Sequence, residues 1–261
     1  MKLTGSCKNW ASNRRMNLVL DLGNTMGKIA CCRGTTVLEA ASYEKIGSRE
    51  INYFHIRYPD ITGAIVSSVV NDSREMIDYL GSLYSTCIEL DHATPIPLKN
   101  TYETPETLGY DRIAAALGGH TIFPGKNVMV IDAGTAITYD LVTSSGVYLG
   151  GNISPGLEIR FKSLNRYTSK LPYLERPEAL PPLLGKSTSE AIQSGIVNGS
   201  LLEMEGFIQV MKEKYSELQV VITGGDAKYF AEKLKSTIFV DLNLNLIGLN
   251  RILEHNASEA T

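Results

Sequence analysis

The stretch NVMVIDAGTAITYD, residues 127–140, opens on an apolar run, reaches an acid at Asp132 and turns on Gly134 and Thr135. Residues 17–25, NLVLDLGNT, run the same way: an apolar stretch, Asp21, one apolar residue, Gly23, then the small polar side chains of Asn24 and Thr25. A strand that ends in Asp-x-Gly is common by itself. Its return at about half the chain length, with no low-complexity linker between, predicts two related halves.

The patterns downstream of each copy keep the same order. After residues 17–25 come two further short strand patterns (28–34 and 35–43), a polar helix at 49–58, the continuously apolar ITGAIVSSVV at 61–70, and a helix at 72–84 capped by Asn71 or Asp72. After residues 127–140 come the hairpin-like 142–156, a helix at 157–167, a long helix at 188–218, the buried-strand pattern QVVITGG at 219–225, a helix at 226–234, a strand at 237–242 and a closing helix at 245–255. Between the copies lie a proline-rich loop at 93–109 and a helix at 110–118, expected to stop at the glycine pair Gly118 and Gly119. The domain reading is a tail at 1–15, an N-terminal half at 16–119 and a C-terminal half at 120–261, with a hinge around 118–126.

Composition narrows the function classes. The 261 residues are 43% hydrophobic, enough to bury a core, which excludes a disordered chain. Twenty-five basic against 28 acidic residues give a net charge of -3, so neither nucleic acid nor an anionic membrane is an expected partner. No stretch offers about 20 consecutive apolar residues, and the first fifteen lack the apolar segment of a secretory signal. Cys7, Cys31, Cys32 and Cys87 show no metal spacing, and two of them are neighbours, so a reducing compartment, the cytoplasm, fits best. His55, His92, His120 and His255 likewise lack ligand spacing. Gly185, Lys186 and Ser187 mimic the end of a P-loop, but its first glycine would fall on Leu180 and two prolines interrupt it.

The acidic turns carry the chemistry. Glycine lets the backbone approach phosphate oxygens and present N–H groups to them. The aspartate cannot bind phosphate; its place in such a turn is to hold a cation that bridges to the phosphates. Two further places stand out. Gly109, Tyr110, Asp111 and Arg112 set an acid and an arginine at a helix start, and Thr223, Gly224, Gly225 and Asp226 follow a strand with glycines flat enough to lie under a base or ribose.

Taken in order, DLGNTMGK (21–28), LGYDR (108–112), DAGTAITYD (132–140), GVYLGGNISPG (146–156), STSEAI (187–192) and TGGDA (223–227) resemble the type III pantothenate kinases. The resemblance implies an α/β fold of the acetate and sugar kinase, Hsp70 and actin superfamily. That fold is two tandem ribonuclease-H-like (actin-like ATPase) halves, each a mixed sheet of about five strands with flanking helices, with the active site in the cleft between them. It also implies transfer of the γ-phosphoryl group of ATP to pantothenate, giving 4'-phosphopantothenate in the first step of coenzyme A biosynthesis.

Site roles carry over residue by residue as implications of that resemblance. Asp21, Leu22, Gly23, Asn24, Thr25, Met26, Gly27 and Lys28 form the first ATP loop, and Thr135 contacts ATP from the second. Tyr102, Gly109, Tyr110, Asp111, Arg112 and Thr188 line the pantothenate site, with Asp111 as general base and the fork of Arg112 suited to the substrate carboxylate. Asp132 holds a monovalent cation, potassium or ammonium, while Mg2+ accompanies ATP. A homodimer is implied as well, and the long second-half helix offers Ile192, Ile196, Leu201, Met204, Phe207 and Ile208 as interface or as core. Met26 and Gly27 depart from the bulkier or charged residues expected there. Two other readings stand beside this one: another small-molecule phosphotransferase of the superfamily, and a nucleotide-binding accessory protein of transcription.

Overall fold

Two compact units divide the chain, the first comprising residues up to Ile96 together with Leu249 onward, the second Pro97–Gly248. A computed structural model describes residues 15–23, 26–68 and 74–259. The expected tail (save Arg15), Asn24, Thr25 and the expected helix caps Asn71 and Asp72 lie outside the described residues.

In the first unit β1 (Met16–Leu22), β2 (Gly27–Arg33) and β3 (Thr36–Tyr43) form an antiparallel meander, while β4 (Ile61–Ser68) and β5 (Thr86–Glu89) run parallel to β1. The sheet order is β3-β2-β1-β4-β5. α1 (Ser48–Arg57) and α2 (Arg74–Leu83) supply the covering helices. Met16, Leu18 and Leu20 meet Ile51 and Phe54 of α1 and Leu80 of α2 in one core cluster. Those residues alternate along β1 because successive side chains of a strand point to opposite faces. The other face takes the last helix: Asn17 Nδ2 donates to Asn250 Oδ1 at 2.7 Å, and Asn250 Nδ2 donates to the Gly34 carbonyl at 2.8 Å.

The second unit repeats this plan. β7 (Val128–Ala133), β8 (Ala136–Val142) and β9 (Val147–Pro155) form the meander, with β10 (Gln219–Thr223) and β11 (Phe239–Val240) parallel to β7. The order is β11-β10-β7-β8-β9, extended at the edge by the two-residue β6 (Lys99–Asn100). Each sheet is thus ribonuclease-H-like, as the family resemblance implies, and the two share the order that the duplicated motif predicts. Met129, Ile131 and Ala133 pack with α4 (Leu157–Tyr167), α5 (Thr188–Lys214) and α6 (Ala227–Ala231), whereas Val128 and Val130 pack against α3 (Tyr110–Ile122) and Leu244 at the start of α7 (Leu244–Glu259). Ile192, Ile196, Leu201, Met204 and Ile208 of α5 are core residues on the first of these faces, with Phe207 packed beside them. Each such buried aliphatic side chain contributes about 1.5–3 kcal/mol relative to exposure.

Two sequence expectations change here. α3 does not stop at Gly118 and Gly119 but continues to Ile122. A Cβ at Gly118 would sit 2.1 Å from the Leu244 carbonyl oxygen, and one at Gly119 would sit 2.7 Å from Val130. The pair therefore lets α3 lie close to α7 and the sheet; it is a packing device, not a stop. The expected boundary at 119/120 accordingly falls inside α3, and the second unit begins at Pro97. α7 carries the chain across the other boundary, between Gly248 and Leu249. Several other elements are shorter than expected: α5 ends at Lys214, α6 at Ala231, and β11 is two residues long.

Candidate active site

The first turn of α3 brings the densest polar group together. Gly109 is the N-cap with an extended ψ of 137°, and Asp111 lies in the first turn, where the helix dipole favours a carboxylate. Asp111 is exposed, and its Oδ1 accepts the Arg112 backbone N–H at 2.8 Å. Arg112 turns the other way, into the protein, with 6% of its surface exposed. Its Nε and Nη2 donate to Asp140 Oδ1 at 3.1 and 2.7 Å, and Nε also reaches Oδ2 at 3.4 Å. The Tyr148 hydroxyl donates to the same Oδ1 at 2.7 Å, and the guanidinium carbon lies 5.6 Å from the centroid of the Tyr102 ring.

Burial alone would weaken the charge on Arg112, yet the hydrogen bond and charge of Asp140 hold its proton more firmly than usual. Burial likewise pushes the Asp140 carboxyl up, against the pull of Arg112 and Tyr148. A guanidinium does not deprotonate in a protein, so Arg112 keeps its positive charge beside Asp140. The fork of Arg112, which the resemblance gives to a substrate carboxylate, meets Asp140 through Nε and Nη2, because a fully buried carboxylate on β8 demands a charged partner.

A second group surrounds the β7 turn. Asp132 is the penultimate residue of β7, in register with Thr138 of β8 and Thr223 of β10. Gly224 sits at φ 93°, where a Cβ would come within 2.4 Å of Asp132 Oδ1 and 2.5 Å of the Ala133 carbonyl oxygen. The Asp226 N–H closes the turn onto that carbonyl at 2.8 Å. Thr135 is exposed at the tip, and Gly156 passes behind it, donating its N–H to the Thr135 carbonyl at 3.0 Å.

A cavity of about 480 Å³ opens beside this turn. Gly134 and Thr135 line it together with Leu157, Glu158, Phe161, the segment 173–176, Gly225 and Asp226. That volume falls in the range of small-molecule sites, about 300–1,000 Å³. Arg176 forms an ion pair with Asp226 and stacks 4.4 Å from the Tyr229 ring centroid. Burial raises the Asp226 carboxyl, and the Arg176 charge opposes it.

Asp21 is the penultimate residue of β1, opposite Lys28 on β2 and Ser67 on β4, so it occupies in the first unit the strand position of Asp132 in the second. Leu22 completes the strand, and the Gly23 N–H donates to the Met26 carbonyl at 3.1 Å. Gly27 is buried, where a Cβ would meet the side chains of Ile46 and Leu22, which gives the unexpected glycine a packing reason. Thr188 is exposed on the first turn of α5, beside the cap in which Ser187 Oγ accepts the Glu190 N–H at 3.2 Å. It lies outside the hydrogen-bonded group of Arg112.

Asp140, Tyr148, Glu158 and Arg176 had no role in the sequence reading. Asp140 alternates with Ile137, Tyr139 and Leu141, a pattern that reads as the solvated side of a half-buried strand; only the packing of both faces of β8 shows that it is buried. Arg176 comes from a segment without helix or strand, so no periodicity points to it.

Two sheets of the same strand order, each with an aspartate before a glycine at the end of its first strand, make up an actin-like ATPase fold of two ribonuclease-H-like halves. Residues 17–210 match the family model described as type III pantothenate kinase. The chain is 46% identical over 241 residues to the type III pantothenate kinase of Bacteroides fragilis, covering 92% of this chain and 98% of that protein. It is 44% identical over 246 residues to that of Christiangramia forsetii, covering 94% and 100%. This chain belongs to the type III pantothenate kinase family. A crystal structure from Campylobacter jejuni, described as a Baf family transcriptional activator, is similar in fold, with a TM-score of 0.59 at 22% identity over 92% of this chain and 99% of that one.

Proposed function

We propose that this pantothenate kinase transfers the γ-phosphoryl group of Mg2+-bound ATP to the primary hydroxyl of pantothenate, the first step towards coenzyme A, with Asp111 as general base. The observation that carries the residue assignment is the exposed Asp111 carboxylate, one oxygen tied to the Arg112 amide, on a helix start anchored by a buried ion pair. Phosphoryl transfer proceeds through a loose transition state, so positioning and charge neutralisation dominate over covalent chemistry. Asp111 orients the hydroxyl and takes its proton as the oxygen–phosphorus bond forms, within hydrogen-bond reach of about 2.6–3.2 Å.

In the second unit the turn at Asp132, with Gly134 and Thr135, takes phosphate oxygens and a cation; Asp21, Gly23 and Lys28 of the first unit offer the same kinds of group to phosphates. Asn24 and Thr25 belong to the same loop in this reading. The cavity beside Thr135 suits the nucleoside, because the Cβ position of Gly225 faces open space and a flat ring can lie against that backbone. Among the described residues no group of three or more His, Cys, Asp or Glu side chains could hold a metal. That fits a magnesium ion held by one or two carboxylates together with substrate phosphates. Asp132, half-buried with hard oxygen donors, suits potassium or ammonium, which would supply positive charge beside the phosphates. Tyr102, Gly109, Tyr110 and Thr188 complete the acceptor site.

The proposal includes a cytoplasmic homodimer. Leu149 and Ile153 of β9 are 43% and 65% exposed and Leu202 of α5 is 65% exposed, apolar surface that a second copy would cover. The deciding experiment incubates the purified chain with ATP, magnesium, potassium and pantothenate and detects the phosphorylated acid by mass spectrometry. Phosphorylation of a sugar or acetate in preference to pantothenate would overturn the reading.

A further inference from the structure

The chemistry above uses Asp111 and leaves the fully buried Asp140 without a part. We infer that Asp140 is a positioning residue of the acceptor site: by gripping the side chain of Arg112 it fixes the first turn of α3 and so the place where Asp111 presents its carboxylate. The inference rests on Asp111 being the base.

The connection is continuous. Asp140 Oδ1 receives Arg112 Nη2 at 2.7 Å and the Tyr148 hydroxyl at 2.7 Å, and the backbone N–H of that same arginine holds Asp111 Oδ1 at 2.8 Å. The carboxylate of Asp140 is itself confined. A Cβ at Gly151 would lie 2.8 Å from its Oδ1 and 1.8 Å from the Tyr139 carbonyl oxygen, so β9 passes directly against it. Tyr102 closes the remaining side of the guanidinium and is held there by Gly150, whose φ of 99° brings the strand within 3.3 Å of the ring at the Cβ position.

This arrangement has a physical consequence. A buried ion pair adds little stability over apolar side chains of similar volume, so folding alone does not account for keeping one at this helix start. Asp140 therefore places the base by holding the side chain of Arg112.

The test compares wild type, Asp140→Asn, and the double variant Arg112→Met with Asp140→Leu, which removes the charge pair and stays folded if the single variant does not. Circular dichroism confirms folding, and steady-state kinetics are measured separately for pantothenate and ATP. Positioning predicts a fall in kcat of about tenfold or more, with KM for pantothenate and for ATP within a few-fold of wild type, and the same loss in both variants. A raised KM for pantothenate with kcat retained would make Arg112 the substrate receptor and overturn the inference, as would wild-type kinetics in the folded double variant. Wild type that fails to phosphorylate pantothenate brings down the functional reading itself, a result distinct from either.

Discussion

Asp111 and Arg112 are adjacent in the chain yet face opposite environments, one in solvent and one 6% exposed, because consecutive helical positions lie about 100° apart. Replacing Asp111 by Asn keeps the size and the hydrogen bond from the Arg112 amide but removes the proton acceptor. Asp111→Asn is expected to keep its thermal midpoint and to lose about 10²–10⁴-fold in kcat; turnover near wild type would take the base role from Asp111. Gly224 is a second position where one atom matters. At φ 93° with Asp132 Oδ1 and the Ala133 carbonyl within 2.5 Å of the Cβ position, Gly224→Ala must displace the turn. A destabilisation of about 1–3 kcal/mol in denaturant titration is expected, together with weaker ATP binding by calorimetry.

At the scale of elements, α4, α5 and the meander are tied by Glu203. It accepts Arg160 Nη2 at 2.7 Å and the Tyr139 hydroxyl at 2.8 Å. Burial would raise the Glu203 carboxyl, but these hydrogen bonds outweigh it and hold it below its usual 4.5. A depressed carboxylate stabilises the fold above its unfolded value, and that stability is lost as pH falls through the folded one. Wild type should therefore exceed Glu203→Gln by about 0.5 kcal/mol near neutrality, solvent screening included, and the difference should begin to shrink near the ordinary value of 4.5 and vanish as pH falls through the lower folded-state value. Thermal melts across that range check it. The elements also show why some boundaries escape a sequence reading. Gly118 and Gly119 look like a helix stop, yet their missing Cβ atoms are used laterally against Leu244 and Val130. The strands of the meander were legible because alternation and apolar runs are local properties.

For the molecule as a whole, the chain returns to its first unit through α7, pinned where Asn17 and Asn250, 2% and 0% exposed, exchange a hydrogen bond across 233 residues of sequence. Asn250→Ala leaves the Asn17 amide and the Gly34 carbonyl without this partner in a buried setting. A loss of about 1–3 kcal/mol in unfolding free energy is expected. A second whole-molecule prediction concerns ions: activity should depend on potassium or ammonium and collapse in sodium-only buffer, whereas full activity there would remove the monovalent cation from Asp132.

The repeat, the run of elements after each copy, the two acidic turns and the family are all readable from the chain alone, because they rest on short runs whose spacing and polarity are set by near neighbours. Folding in three dimensions is what pairs Arg112 with Asp140, carries α3 past its glycines, starts the second unit at Pro97 and opens a cavity between Thr135 and Arg176. Each of those depends on groups far apart in sequence, and the preference of a buried charge for a particular partner, or of a bare Cα for a particular backbone, has no local signature.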